Sequence, residues 1–298
     1  YVFKTTDDGD NWSLSEEIKD ISSGTVFTSV AFDGNYIVVG DEDNNRAYIY
    51  KKDSSNEWGN ISRITITGDD IEDNDVFGRG IAVYGNYIAV GAAFWDGSNN
   101  DVSNMGTVYI FKTSDNGSSW EQVKKLTAND YETVSQFGAS IDINDKYIIV
   151  GADIHNNVNS VNLSKSGAAY IFKIPESGNT WSQTKIIASD AAQNARFGNA
   201  VALLGDRAIV GSYGKFINNK VNYGQAYYFI TSDNGTTWTQ TEIFSRTGSQ
   251  PKAFGWSVGI TNNFVIIGTT EGYVHIFTPG TTTLTDVSDN FLNSTTFV

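Results

Sequence analysis

The chain has 298 residues, with 34 Asp and Glu against 20 Lys and Arg and a formal net charge of −14. That balance argues against nucleic-acid and anionic-membrane binding, which need clustered cations, and no apolar run approaches the roughly 20 residues that span a bilayer. The absence of Cys excludes disulfides and thiolate chemistry, while two distant histidines, His155 and His275, do not support a His-based triad or a multi-His metal site.

In chain order, the first segment reads "YVFK" and then "WSLSEEI" from Trp12, two short strand-like runs. The chain thus opens at Tyr1 in mid-repeat, which suggests residues upstream, so a missing signal peptide carries no weight. A unit then recurs, beginning "VFTSVAF", "FGRGIAV", "FGASIDI", "FGNAVAL" and "FGWSVGI" at Phe27, Phe77, Phe137, Phe197 and Phe254. A second block follows each ("NYIVVGD", "NYIAVGA", "KYIIVGA", "DRAIVGS", "NFVIIGT"), then a third ("AYIYK", "VYIFK", "AYIFK", "AYYFI", "YVHIF"). The fourth block opens at Trp58, Trp120, Trp181 and Trp238 and alternates polar with apolar residues. Each block is short, β-branched or aromatic, and bounded by Gly, Asn or Asp, as strands are. Two-residue turns such as Asp33-Gly34 and Tyr84-Gly85 join the first and second blocks.

Each unit is therefore a four-stranded antiparallel meander, with strands here called a to d. A lone sheet leaves two wet faces, and stacking such units around an axis buries both while closure protects the edges. The expected fold is all-β, a β-propeller of four-stranded antiparallel blades, six or seven in number. Residues 1–277 form the propeller, the strands from Tyr1 belong to a split blade, and 278–298 form a Thr- and Ser-rich tail or linker. A linear solenoid is the competing architecture.

The Phe-Gly starts and the "VGA" at Val90–Ala92 and Val150–Ala152 resemble the FG-GAP repeats of integrin α-subunit propellers and many microbial surface proteins. A second resemblance lies in the c–d hairpins. "TSDNGSSW" and "TSDNGTTW" are similar to the Asp-box of sialidases, at Thr113, Asp115, Gly117 and Trp120 and at Thr231, Asp233, Gly235 and Trp238. A looser copy has Thr5, Asp7, Gly9 and Trp12, and a fourth keeps only Gly178 and Trp181. Locally, the Asp should accept backbone N–H bonds, the Gly should supply a positive φ and the Trp should pack beneath its hairpin. A phrase repeated in several blades reads as a structural staple, because a catalytic site should occur once.

The sialidase resemblance would imply an arginine triad, a Tyr–Glu pair and an acid/base Asp. The chain has only Arg46, Arg63, Arg79, Arg196, Arg207 and Arg246, of which Arg79 and Arg196 flank Phe-Gly starts and are placed to face a central channel. No nucleophile elbow or phosphate loop is present, so no catalytic residue is expected. A single channel pocket where Arg and carboxylates converge would favour an enzyme instead. No cofactor is expected either. The a–b turns are too short for integrin-type calcium loops, and the acidic runs at Asp41, Asp43 and Asn45 and at Asp69, Asp73 and Asp75 read as solvated loops with weak calcium potential.

The b–c and d–a loops should share one face, and three long b–c loops carry its variation. Candidate binding residues there are Phe94, Trp95 and Asp96; His155, Asn156 and Asn157; and Tyr213, Phe216, Asn218 and Asn219. Exposed aromatics beside amides suit a glycan or a protein partner. The expectation is a non-enzymatic propeller at an extracellular, cell or virion surface, used for recognition or within a larger assembly, with a lectin-like role as alternative and a glycosidase as the second.

Overall fold

The computed structural model describes residues 1–7, 10–18, 28–52, 58, 63–97, 102–158, 161–177, 180–216, 223–245 and 253–280. Gly9, Phe27, Gly178, Asn218, Asn219, Arg246 and the tail from 281 lie outside them. A hairpin of β1 (Val2–Lys4) and β2 (Ser13–Glu16) comes first. Blade 1 pairs β3 (Ser29–Phe32), β4 (Tyr36–Asp41), β5 (Arg46–Lys51) and β6 (Ile64–Ile66), with a 3-10 turn at Glu42–Asn44. Blade 2 pairs β7 (Phe77–Tyr84), β8 (Tyr87–Ala92), β9 (Thr107–Lys112) and β10 (Glu121–Leu126). Blade 3 pairs β11 (Ser140–Ile143), β12 (Tyr147–Ala152), β15 (Ala168–Lys173) and β16 (Ser182–Ile186), and its b–c loop carries a small hairpin, β13 (Asn157–Val158) with β14 (Val161–Asn162). Blade 4 pairs β17 (Phe197–Leu204), β18 (Arg207–Ser212), β19 (Gln225–Ile230) and β20 (Thr239–Phe244). Blade 5 has, among the described residues, three strands, β21 (Ser257–Ile260), β22 (Val265–Gly268) and β23 (Val274–Phe277).

The a strands pack on one another in chain order, β3 on β7, β7 on β11, β11 on β17 and β17 on β21. They form the inner edge of a fan. Strand b is apolar because it is covered on both faces, and β12 is buried throughout, whereas β10 and β20 alternate at the wet rim. One cavity touches residues of all five blades, which a linear stack would not allow. The fold is a β-propeller. Among the described residues, no strand pairing joins blade 5 to the β1–β2 hairpin.

The shared wording holds neighbouring blades together. The glycine of "VG" in strand b lies directly beneath the carbonyl of the Phe-Gly glycine of the next blade: Gly40 under Gly78, Gly91 under Gly138, Gly151 under Gly198 and Gly211 under Gly255. A Cβ at any of these would overlap that oxygen. Ser29 and Ser140 tighten the same junction by donating to Gly78 O and Gly198 O, at 2.6 and 2.8 Å. Beside it, the backbone N–H of Phe137, Phe197 and Phe254 donates to the residue before the glycine that opens strand c of the preceding blade, at 3.0–3.2 Å. Blade 1 has Asn45 at that glycine's place, at φ 52, and the Asn45 side chain accepts the Phe77 N–H at 2.9 Å. The Phe rings are fully buried and meet Tyr109 and Phe111, Tyr170 and Phe172, or Tyr227 and Phe229 at 5.3–6.3 Å between centroids.

The W-x-Q that opens strand d works at the outer rim. Trp120 and Trp238 each meet, edge to face at 5.2 Å, a Tyr of the preceding blade's strand b, Tyr36 and Tyr147. In the same hairpins Asp115 and Asp233 accept the Ser119 and Thr237 N–H at 2.9 Å, and Gly117 and Gly235 have φ 78 and 83. A Cβ on either glycine would strike the same Tyr ring, so the glycine serves both turn and packing. The hydroxyls of Ser119 and Thr237, the backbone and then Thr113 and Thr231 hold the two exposed carboxyls at about 2. Two residues after the Trp, Gln122, Gln183 and Gln240 accept the backbone N–H of Asp69, Asn129 and Ser189 at 2.9–3.1 Å, in the loop that leaves the preceding blade.

Three sequence expectations need correction. The two central residues of the a–b turns are Gly34-Asn35, Gly85-Asn86 and Gly205-Asp206, one place later than read, because Asp33 pairs with Tyr36 and Tyr84 with Tyr87. A positive φ is needed at the first central position, and Gly supplies it at Gly34, Gly85 and Gly205. The repeat alignment of blade 1 also shifts by one, since Ser29 pairs with Gly40 as Ser140 pairs with Gly151. Phe27 itself lies outside the described residues. Finally, Asp41 and Asp75 are not solvated loop carboxylates. Both are buried, Asp41 accepting from Tyr48 and Asn44 and Asp75 from the Glu72 N–H. Among the described residues no group of three His, Cys, Asp or Glu is placed to hold a metal ion.

Gly151→Ala should cost about 3 kcal/mol in urea unfolding, as backbone would have to move, whereas Gly259→Ala, whose nearest neighbour atom is 3.8 Å from the new Cβ, should stay within about 1 kcal/mol. Asp142 gives a pH signature. Its carboxylate crosses from β11 to accept the Leu203 N–H at 2.6 Å, and desolvation raises it from 3.8 to about 6 against its backbone hydrogen bonds. The folded state then keeps a proton that the unfolded chain has lost, so this stability is full below pH 3.8 and disappears as pH rises through 6. Unfolding of Asp142→Asn followed from pH 4 to 7 should lack that part of the decline.

Candidate functional site at the axial cavity

A cavity of about 590 Å³ opens where the inner edges converge, lined by Thr28, Glu42, Arg79, Gln136, Ala139, Asp153, Arg196, Asn199, Tyr213 and Trp256. These residues occupy three equivalent positions of the repeat. Thr28, Ala139 and Trp256 each stand one residue before the site that pairs with the strand b glycine, and Arg79 and Asn199, like Ala139 and Trp256, directly follow a Phe-Gly. Glu42, Asp153 and Tyr213 each follow the last residue of strand b. Gln136 and Arg196 each precede a Phe-Gly, at φ 55 and 59. Val76 and Ala253 take the same left-handed conformation at φ 53 and 57, which is costly for residues with a Cβ and is sustained only by surrounding structure. Thus blades 2 to 5 share this backbone at the inner edge, and the side chains it sends to the axis differ.

Arg196 donates to Asp153 at 3.1 Å. Burial pushes the Asp153 carboxyl up, opposed by the Arg196 guanidinium. Arg79 faces Glu42 at 3.9 Å and lies 5.6 Å from the centre of the Phe94 ring. Glu42 Oε2 is buried yet accepts no hydrogen bond among the described residues. On the other side, Asn199 donates to Gly255 O and Trp256 O at 3.0 and 2.9 Å and accepts the Tyr213 N–H at 3.3 Å. It thereby sets Tyr213 and Trp256 ring to ring, 4.8 Å apart, with Trp256 still 51% exposed. Two guanidiniums, two carboxylates, two amides and an exposed indole therefore share one recess, a set suited to binding a polar ligand.

The loop residues expected to bind divide into two groups. Tyr213 lines the cavity, Phe94 flanks Arg79, and Phe216 is 40% exposed. Asp96 braces its own loop by accepting the Asn104 N–H at 2.6 Å, Asn156 bonds Glu132 and Lys165, and Asn157 enters β13. Trp95 and His155 are not exposed. They are 6% and 0% accessible and occupy a buried latch. In blades 2, 3 and 4 the strand c tyrosine, Tyr109, Tyr170 or Tyr227, donates to Asp70, Asp130 or Asp190 of the d–a loop at 2.6, 2.9 and 2.8 Å. Burial and those carboxylates push the three phenols up. A lysine completes each latch: Lys125 and Lys185 from strand d at 2.5 and 2.6 Å, and Lys215 from the b–c loop at 3.0 Å. Trp95, with Lys125 3.3 Å from its ring centre, and His155, 2.7 Å from Lys185 and 2.9 Å from Glu132, take the loop position that Lys215 takes in blade 4. They fasten the loops that border the cavity.

Sequence reasoning singled out Arg79, Arg196 and Tyr213 but missed Thr28, Glu42, Gln136, Ala139, Asp153, Asn199 and Trp256. The signal was available, because these are the places beside Phe-Gly and after "VGA" where the repeat disagrees with itself.

Among solved structures, a protein of unknown function from Desulfotomaculum acetoxidans aligns at 12% identity and TM-score 0.53, over 90% of this chain and 70% of that one. Hsv2 from Kluyveromyces lactis aligns at 13% identity and TM-score 0.50, over 90% and 65%. At such identity these likenesses concern the fold alone. No curated protein matches the chain. The FG-GAP repeat family matches at residues 58–111, 120–172 and 181–229, just over half of the length. Each match starts at a strand d Trp and ends in strand c of the next blade, so one sequence repeat spans the junction whose glycines its wording preserves. The chain belongs to the FG-GAP repeat family.

Proposed function

We propose that this protein is a non-enzymatic recognition module of an extracellular, cell or virion surface, and that it engages its partner at the axial cavity and the loops around it. The observation that carries this reading is the segregation of residues. Those shared between repeats pack blade on blade, and residues that differ between the five blades meet at the axial recess. A stable scaffold with variable residues at one place is how binding sites are built on rigid folds. The frequent use of FG-GAP repeat proteins at surfaces supports the location.

The test is to fill the recess. Ala139→Trp places an indole where blade 5 already carries Trp256, so folding should be preserved. Any ligand found by screening glycan and peptide libraries should bind Ala139→Trp at least about tenfold more weakly, while Asn263→Trp, at an a–b turn on the other face, should bind as the unaltered protein does. Equal binding by all three would refute the reading.

A second reading, glycoside hydrolysis, is favoured by the convergence of Arg79, Arg196, Glu42 and Asp153 in one cavity, the arrangement expected of an enzyme. The Asp153 carboxyl, raised by burial in a cleft, is also suited to general acid catalysis. Against it, Asp153 is bonded to Arg196, and among the described residues only two arginines reach the cavity. Aryl glycosides should show no turnover above buffer. Turnover that vanishes in Asp153→Asn would establish the hydrolase instead.

A further inference from the structure

We propose that the axial cavity takes a neutral carbohydrate, with Trp256 beneath a C–H face of the sugar ring and the Glu42–Arg79 pair on its hydroxyls. This inference rests on the recognition reading above and names its ligand class. The charges at the cavity balance, with Arg196 opposite Asp153 and Arg79 opposite Glu42. Neither guanidinium is left without a facing carboxylate, so a phosphate, sulfate or carboxylate ligand would meet a carboxylate beside each cation. An apolar ligand would strip water from four charged groups without replacing their hydrogen bonds. A neutral polyol avoids both costs. Its hydroxyls donate to carboxylates and accept from guanidiniums, and adjacent hydroxyls match the forked geometry of both groups.

Three details point the same way. The Arg79 and Glu42 side chains are 41% and 21% exposed and stand 3.9 Å apart, too far for a direct hydrogen bond, so the pair keeps hydrogen-bonding capacity on its exposed side for a ligand hydroxyl. Trp256 keeps half of its surface exposed although Tyr213 packs against it, and Asn199 fixes both backbones, so the indole is a rigid platform. The volume of about 590 Å³ falls within the roughly 300–1,000 Å³ of ligand pockets and exceeds the space of a single side chain.

The experiment is a glycan array with the full chain, spanning neutral, sialylated and sulfated glycans, followed by calorimetric titration of the strongest neutral glycan. Trp256→Ala and Glu42→Gln should each weaken that binding at least tenfold, with thermal unfolding unchanged because Trp256 is exposed and Gln keeps the size of Glu42. Trp256→Phe should recover part of the loss. The carbohydrate assignment falls if no glycan binds, if only anionic glycans bind, or if neutral glycans bind both variants as well as the unaltered chain. A peptide ligand that binds through the recess and is lost in Ala139→Trp would also overturn it, but would leave the recognition reading intact.

Discussion

The close approach of one blade's strand b to the next blade's strand a is the constraint on which the other features depend. A glycine of one strand lies under a carbonyl of the other, nearer than any Cβ allows, and this happens at four successive junctions. That proximity brings the inner edges together, splays the outer strands and bends the row of sheets into an arc. It also requires the Phe-Gly glycine to take a positive φ, from 85 to 104 at the four junctions. The Phe that precedes it fills the wedge that opens outward from the contact. Farther out, the strand d Trp packs on the preceding blade's Tyr, and the Gln two residues on ties the d–a loop. Each shared letter therefore fills the space that the glycine contact leaves at its own radius.

With the shape settled by shared residues, the places where blades differ become informative. The left-handed residue before Phe in blades 3 and 4, the residue after the Phe-Gly position in all five blades and the first residue beyond strand b in blades 1, 3 and 4 line the axial cavity, and no two blades supply the same set. The Tyr–Asp–Lys latch shows how differences are tolerated. Blade 4 has Ile243 opposite Tyr227 where blades 2 and 3 have a lysine opposite the Tyr, and Lys215 delivers the ammonium from the loop instead. The electrostatic requirement of a carboxylate bonded to a buried phenol persists while its supplier moves.

The repeat made blades, strand order and the structural role of the eight-residue hairpin phrase legible, because each rests on local turn chemistry and on apolar patterning. The site was only partly legible. Trp95 and His155 were read as ligand-facing because aromatic and amide residues in a long loop look exposed, yet both point into the latch of their own blade. Their 60-residue spacing, continued by Lys215, marked them as members of the repeat and hence as structural. Trp256, by contrast, breaks the pattern after Phe-Gly and is exposed.

The sequence by itself determined the unit: four short strands, their turns, and the glycines where no side chain fits. These follow from backbone sterics and from side-chain alternation, which act over a few residues. Only the tertiary structure decided which unshared residues meet, because Arg79, Asp153, Arg196 and Trp256 belong to different blades and share one recess only once the sheets curve about an axis. The curvature comes from contacts between residues about 40 to 50 positions apart, and the fit of a glycine under a carbonyl sets its degree.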